Sequence, residues 1–109
     1  MKYEVWFEES GDDLKIFEIN DDERKAFNKI FGLSIPRVRN IDKMWGRIFD
    51  GIFPITGKPI RFHFQYDSWF ETDDEETAQW IRIFFVLWQY SDFENAFWLM
   101  EKLKEVSEE

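Results

Sequence analysis

Residues 60–67 have the sequence IRFHFQYD, in which apolar and polar side chains alternate. Ile60, Phe62 and Phe64 share one side of an extended chain with Tyr66, and the polar residues share the other side. This is the pattern of a strand with one buried face. A connection rich in proline and glycine precedes it. We therefore predict a strand here and assign the flanking segments outward from it.

Two helices are predicted after this strand. A capping box at residues 72–75 begins a helix that extends to about Tyr90. Only Arg82 and Gln89 are strongly polar in its second half, so this helix is expected to be buried on most sides. A further capping box at residues 91–94 begins the last helix, which returns antiparallel to the long one.

The first twenty residues predict a β-hairpin. Residues 3–7 alternate with a period of two, residues 10–13 are turn-forming, and residues 14–19 form the expected return strand. In the predicted register Val5 pairs with Ile19.

Two further helices are predicted between the hairpin and the strand at residue 60. The first begins at Asn20 as cap and ends at Gly32. The second begins at Asn40 and ends near Gly51. Its warrant is a helically spaced apolar stripe that consists of Ile41, Met44, Trp45, Ile48, Phe49 and Ile52.

The predicted element order is β-β-α-α-β-α-α. We assign the α+β class: a small antiparallel sheet of about three strands, packed by about four helices. The 109 residues show no repeat, low-complexity segment or linker, so residues 1–109 are expected to form a single domain.

The charge is segregated along the chain. Residues 1–23 hold 9 acidic and 2 basic side chains, residues 24–61 hold 2 and 9, and residues 62–109 hold 12 and 3, for a net charge of −9. Such a balance argues against direct binding to nucleic acid or to an anionic membrane, because both need Lys and Arg. It favours a basic protein as partner. Cationic helices that pair with acidic neighbours would be the purely structural explanation.

The composition also restricts the chemistry. The chain has no Cys, so it has no disulfide, thiolate nucleophile or Cys-ligated metal. No signal peptide or bilayer-spanning segment is visible, and we expect a cytoplasmic protein. No cofactor or metal is expected. His63 is the sole histidine and accompanies no recognised nucleophile motif, so we expect a packed strand residue and not an enzyme.

The candidate partner-binding residues fall into two acidic clusters and an aromatic pair. One cluster lies at the predicted hairpin tip and the other precedes the long helix, and the sequence leaves open whether they meet in space. Exposed aromatic side chains are common anchors in interfaces. The candidates are Glu8, Glu9, Asp12 and Asp13, then Asp67, Glu71, Asp73, Asp74, Glu75 and Glu76, and the anchors Trp69 and Phe70.

The leading functional hypothesis is a small acidic inhibitor. An immunity or antitoxin protein that neutralises a basic, nuclease-like toxin fits this description, as does a phage-type inhibitor that mimics nucleic acid. The alternative is a structural or adaptor subunit that forms an obligate oligomer, such as a homodimer, through aromatic helix surfaces. An enzyme or a binder of a small apolar ligand ranks lowest.

Overall fold

The predicted strand at residue 60 is an inner strand of a four-stranded antiparallel sheet in a computed structural model that describes residues 1–107. The elements are β1 (Tyr3–Trp6), α1 (Ser10–Leu14), α2 (Ile16–Ile19), α3 (Asp21–Phe31), β2 (Arg47–Ile52), β3 (Pro59–Phe64), β4 (Trp69–Thr72), α4 (Glu75–Tyr90) and α5 (Phe93–Ser107), with a 3-10 turn at Ile41–Lys43. The strand order in the sheet is β1-β4-β3-β2. The α+β class is confirmed, with four strands in place of about three.

The core lies between one face of the sheet and the helices. Phe62 of β3 is fully buried and pairs with Phe70 of β4 on the same face. Phe27 and Phe31 of α3 pack on these rings from the helix side. Phe84 of α4 packs in turn on Phe27 and Phe31. The alternation in β3 therefore places its apolar side chains in the core as predicted, although the strand ends before Tyr66, which is exposed.

The predicted N-terminal hairpin is wrong. Val5 pairs with Phe70 of β4, and residues 10–19 form the short helices α1 and α2. Leu14 and Phe17 are buried three positions apart, which is a helical spacing, whereas Ile19 is exposed. The alternation at residues 3–7 thus identified a strand but not its partner.

The predicted second helix, from Asn40 to about Gly51, is also wrong. Asn40 caps only a 3-10 turn, through an N–H···O bond from Asp42, and the chain then enters strand β2. Ile48 and Ile52 lie on the exposed side of that strand. Gly51 lies inside β2 and ends no helix. A Cβ atom there would lie 2.4 Å from the carbonyl oxygen of Gly32, so only glycine permits this approach.

The three longer helices are confirmed, with corrected caps. Asn20 accepts the N–H of Asp22 and Gly32 ends α3 in the left-handed conformation, as predicted. At α4 the cap is Asp74, which accepts from the N–H of Thr77, and at α5 Asp92 accepts from the N–H of Asn95. None of the helices formed by residues 1–107 combines the length and the apolar character that a bilayer span requires.

Candidate functional site: an acidic groove beside strand β1

An open groove of about 1220 Å³ runs between β1, the α1–α2 segment, the start of α3 and the junction of α4 and α5. We call it the acidic groove. Within residues 1–107 its lining includes two basic side chains, Lys15 and Arg82, against eight carboxylates. The carboxylates belong to Glu8, Glu9, Asp12, Asp13, Glu18, Glu23, Asp92 and Glu94.

The helix α1 side of the groove is fixed by a buried serine pair. The Ser10 hydroxyl donates to the carbonyl of Tyr66 at 2.5 Å and accepts the N–H of Ser68 at 2.7 Å. Gly11 lies against the Tyr66 ring, where a Cβ atom would approach within 2.4 Å. Glu9 adopts a positive φ of 60° to enter the helix. These contacts hold the acidic residues of α1 beside the end of β1.

Capping interactions place the remaining acids of the groove. The Glu18 carboxylate accepts the N–H of Ile41 at 2.9 Å. Asn20 caps α3, so that Glu23 lies in its first turn. Asp92 caps α5 through Asn95 at 2.8 Å, and Glu94 follows in its first turn. Two helix N-termini therefore present carboxylates to one groove.

The floor of the groove is aromatic. The rings of Phe7 and Phe85 stack with centroids 4.5 Å apart, and Trp88 lies 4.7 Å from Phe7. Phe93 meets Trp88 edge to face at 4.7 Å. Carboxylates above packed rings form a surface that accepts a cation together with its apolar stem.

Burial and neighbouring carboxylates raise the pKa of two groups in the groove, Glu23 and Asp13. Burial raises the pKa of Glu23, and the nearby charges of Glu94, Asp92 and Asp22 raise it further. One buried oxygen of Glu23 has no hydrogen-bond partner among residues 1–107. Burial also raises the pKa of Asp13, with contributions from Glu9 and Asp12. Negative charge is thus concentrated here without full compensation, which is the condition that attracts a cation.

The second predicted acidic cluster lies outside the groove. Asp74 is the cap of α4, and hydrogen bonds from the Thr77 hydroxyl and N–H hold the pKa of its carboxyl below the usual range. Glu75 and Glu76 occupy the first turn of α4. None of residues 67–76 lines the groove. The acids at the start of α4 therefore form a separate surface. Asp67 instead adjoins the first cluster, because its neighbours Tyr66 and Ser68 both hydrogen-bond Ser10 of α1.

The two predicted aromatic anchors have different surroundings. Phe70 is fully buried among core rings and presents no surface to a partner. Trp69 lies on the opposite face of β4, between the indole of Trp6 at 4.6 Å and the imidazole of His63 at 4.1 Å. We call Trp6, Trp69 and His63 the ring row. It stands on the sheet face opposite the helices, together with the exposed side chain of Ile48.

A salt-bridge network orients the ring row. His63 hydrogen-bonds Glu71 through Nε2, and Lys2 lies 3.4 Å from the same carboxylate. Burial raises the pKa of Glu71, but the bonds from His63 and Lys2 outweigh it, so that the pKa lies below its ordinary value. His63 is therefore a packed member of the sheet surface. No group of three His, Asp or Glu side chains in residues 1–107 is arranged to hold a metal ion.

Sequence reasoning missed several residues of the groove, namely Trp6, Glu18, Glu23, Asp92 and Glu94. Glu23 and Glu94 belong to helix-start patterns. Because such patterns already explain an acidic residue, neither was considered as part of a binding surface. The only usable signal was Trp6, an indole that matches no predicted apolar stripe.

No protein-family model matches the chain, and searches of curated proteins and of solved structures also found no match.

Proposed function

We propose that this chain is a protein-binding module that takes up a basic segment of another protein in the acidic groove and thereby neutralises that protein. The observation that carries the proposal is the groove itself, with eight carboxylates and two basic side chains above an aromatic floor. Complementary charge raises the association rate and selects cationic partners.

The proposed partner is a protein that exposes Lys and Arg for phosphate, such as a nuclease-like toxin or another nucleic-acid-binding protein. The module would act as an immunity or antitoxin protein, or as a phage-type mimic of nucleic acid, by occupying those cations. A cytoplasmic site of action belongs to the same proposal, because toxins of this kind act on intracellular nucleic acid.

Matched charge-reversal variants test the proposal. One variant carries Glu8→Lys, Asp12→Lys and Glu94→Lys in the groove. The control carries Asp73→Lys, Glu75→Lys and Glu76→Lys, which makes the same change of charge outside it. The immobilised proteins are exposed to a lysate of the native host, and the captured proteins are identified by mass spectrometry.

We expect the unmodified chain and the control to retain basic proteins that elute as salt rises, and the groove variant to lose them. Equal capture by all three proteins, or capture that is insensitive to salt, would contradict the proposal. Loss with the control variant alone would assign binding to the α4 cluster instead.

A second candidate is a self-associating structural subunit. It is favoured by exposed apolar side chains on the helices, at Ile83 and Tyr90 of α4 and Trp98 of α5, and by Ile48 and Ile52 on the open face of the sheet. It predicts a stable dimer by light scattering at micromolar concentration. A monomer under these conditions excludes it.

A further inference from the structure

The outer edge of strand β1 has no partner strand among residues 1–107. The ladder to β4 continues through the Phe7 N–H, which donates to the Ser68 carbonyl at 2.9 Å. In an antiparallel pair alternate residues direct their backbone groups to the same side, so Tyr3 and Val5 also face β4. The N–H and C=O groups of Glu4 and Trp6 therefore point outward. They are available to a further strand.

This edge borders the acidic groove, because Val5, Trp6 and Phe7 belong to the lining. No residue of β2, the other edge strand, does so. A chain that pairs with β1 would run beside Val86 and Gln89 of α4 on one side of the sheet. Beyond Trp6 it would reach the acids of α1.

Trp6 supplies a fixed ring at the same edge. Its indole stacks on Trp69, which stacks on His63, and its Nε1–H donates to the Glu4 carboxylate at 3.2 Å. Since Trp69 covers one face and β1 is the edge strand, the other face of the indole is directed toward the unpaired edge. The side chain is 50% exposed. A guanidinium stacked there would lie over a π face with a carboxylate at its rim.

We propose that the partner segment binds as a fifth strand, paired with β1, and places an arginine on the open face of Trp6. The inference rests on the proposed function and specifies the conformation and the chemistry of what binds. The occupant is an extended segment in which basic residues alternate with apolar ones. Where the segment pairs with β1, its basic residues share the sheet face of Trp6 and Glu4 and its apolar residues lie toward Val86. Beyond Trp6 its basic residues meet the groove carboxylates of α1.

Charge complementarity selects this occupant over a second copy of the chain. Pairing two β1 edges would bring two acidic grooves together, with eight carboxylates against two basic side chains in each. Like charges across an interface suppress such an association.

The test uses defined peptides. The probe is an acetylated and amidated octapeptide of alternating Arg and Val. Two isomers carry backbone N-methyl groups, one on every Arg and the other on every Val. Only one of these sets of N–H groups can face β1, the Arg set in antiparallel pairing and the Val set in parallel pairing. A helix-forming Lys-Ala peptide of equal charge represents a helical occupant. Affinities are measured by calorimetry, and amide exchange by NMR.

We expect the unmethylated peptide to bind, one isomer to bind comparably and the other to lose binding. The amides of Glu4 and Trp6 should exchange more slowly in the complex. Trp6→Ala should weaken binding by about 3–30-fold. Trp98→Ala, which removes an equally exposed indole from α5 outside the groove, should leave affinity unchanged. Circular dichroism verifies that both variants are folded.

The outcomes separate the two proposals. Equal affinity of both isomers, unprotected Glu4 and Trp6 amides, or preference for the helical peptide overturns strand addition and leaves the basic-partner proposal standing. Failure of every basic peptide to bind at millimolar concentration overturns both.

Discussion

Glu23 is the residue at which folding and the proposed binding compete. It lies in the first turn of α3, where a carboxylate suits the positive end of the helix dipole. It is also drawn into a groove with Asp92 and Glu94, and one of its oxygens is buried without a partner in residues 1–107. A group whose pKa is raised in the folded state stabilises the fold at low pH and loses that contribution as pH rises through the folded pKa.

Glu23→Gln should therefore raise the thermal midpoint at pH 7, by about 2–4 °C, which corresponds to roughly 0.5 kcal/mol in a domain of this size. The difference should disappear below the ordinary pKa of 4.5, where Glu23 is protonated in both states. Thermal denaturation from pH 4 to pH 8 measures this. Glu76→Gln, an exposed change outside the groove, is the control, and an equal gain in the control would contradict the assignment.

The pKa of Asp74 is shifted in the opposite direction from that of Glu23, because hydrogen bonds from Thr77 lower it in the folded state. Its stabilising contribution is present above its ordinary pKa of 3.8 and is lost as pH falls through the folded value. Asp74→Ala should lower the urea midpoint at pH 7 by about 0.2–1 M, because the N-cap hydrogen bonds from Thr77 are lost. Asp73→Ala, at the exposed neighbouring position, should change stability by less than about 0.5 kcal/mol. Equal losses would show that the cap is not specific to Asp74.

At the scale of elements, the helices and strands that were predicted correctly are those with clear signals in neighbouring residues. Helix α3 has Asn20 before it and Gly32 after it, and β3 shows alternation over its whole length. The failures occurred where local patterns were ambiguous. Ile48 and Ile52 fit a helical stripe and also one face of a strand. Two contacts stabilise the strand conformation: the pairing of β2 with β3, and the close approach of Gly51 to Gly32. Both join residues that are distant in the sequence.

The groove could be predicted only in part, for the same reason. Glu8 and Asp12 were identified as a local cluster, whereas Glu23 and Glu94 join them through the packing of α3 and α5. Phe70 was proposed as an anchor, but the pairing of β4 with both β1 and β3 turns its side chain into the core. The face of the sheet on which a strand residue lies depends on how that strand pairs with its neighbours. This pairing register cannot be deduced from the sequence of one short strand.

Gly51→Ala distinguishes the two assignments of residues 47–52. In a helix, alanine would stabilise by about 0.5–1 kcal/mol relative to glycine. In β2 its methyl group collides with the backbone of Gly32, and we expect a loss of about 1–3 kcal/mol in urea denaturation. A gain in stability would contradict the strand.

At the scale of the whole molecule, the fold brings acidic side chains together although their charges repel one another. The net charge is −9, and the acids concentrate in one groove and at the start of α4, while Arg24, Lys25 and Arg61 pair with Asp21 and Asp50 elsewhere. Some of the basic side chains of residues 24–61 are therefore neutralised by nearby acids outside the groove. The groove retains a net negative field.

Salt should therefore stabilise the free protein. Raising NaCl from 0.15 M to 1 M shortens the Debye length from about 8 Å to about 3 Å and weakens repulsion within the groove. We expect the thermal midpoint at pH 7 to rise by about 2–5 °C, or roughly 1 kcal/mol or less. A variant with Glu9→Gln, Asp12→Asn and Glu94→Gln should show a smaller rise. An equal rise would assign the effect to the rest of the surface.

The sheet order has a consequence for how the molecule is assembled. Strand β1 pairs with β4, and more than sixty residues separate Tyr3 from Thr72. That pairing has high contact order, and the loop-closure entropy must be overcome before it forms, so folding is expected to be slow for a domain of this size. During synthesis β1 emerges from the ribosome before β4 and cannot pair with it until β4 has also emerged. Before they pair, β1 and β4 both expose unpaired backbone groups. At this stage β1 of one chain can pair with β4 of another, which would give a domain-swapped dimer.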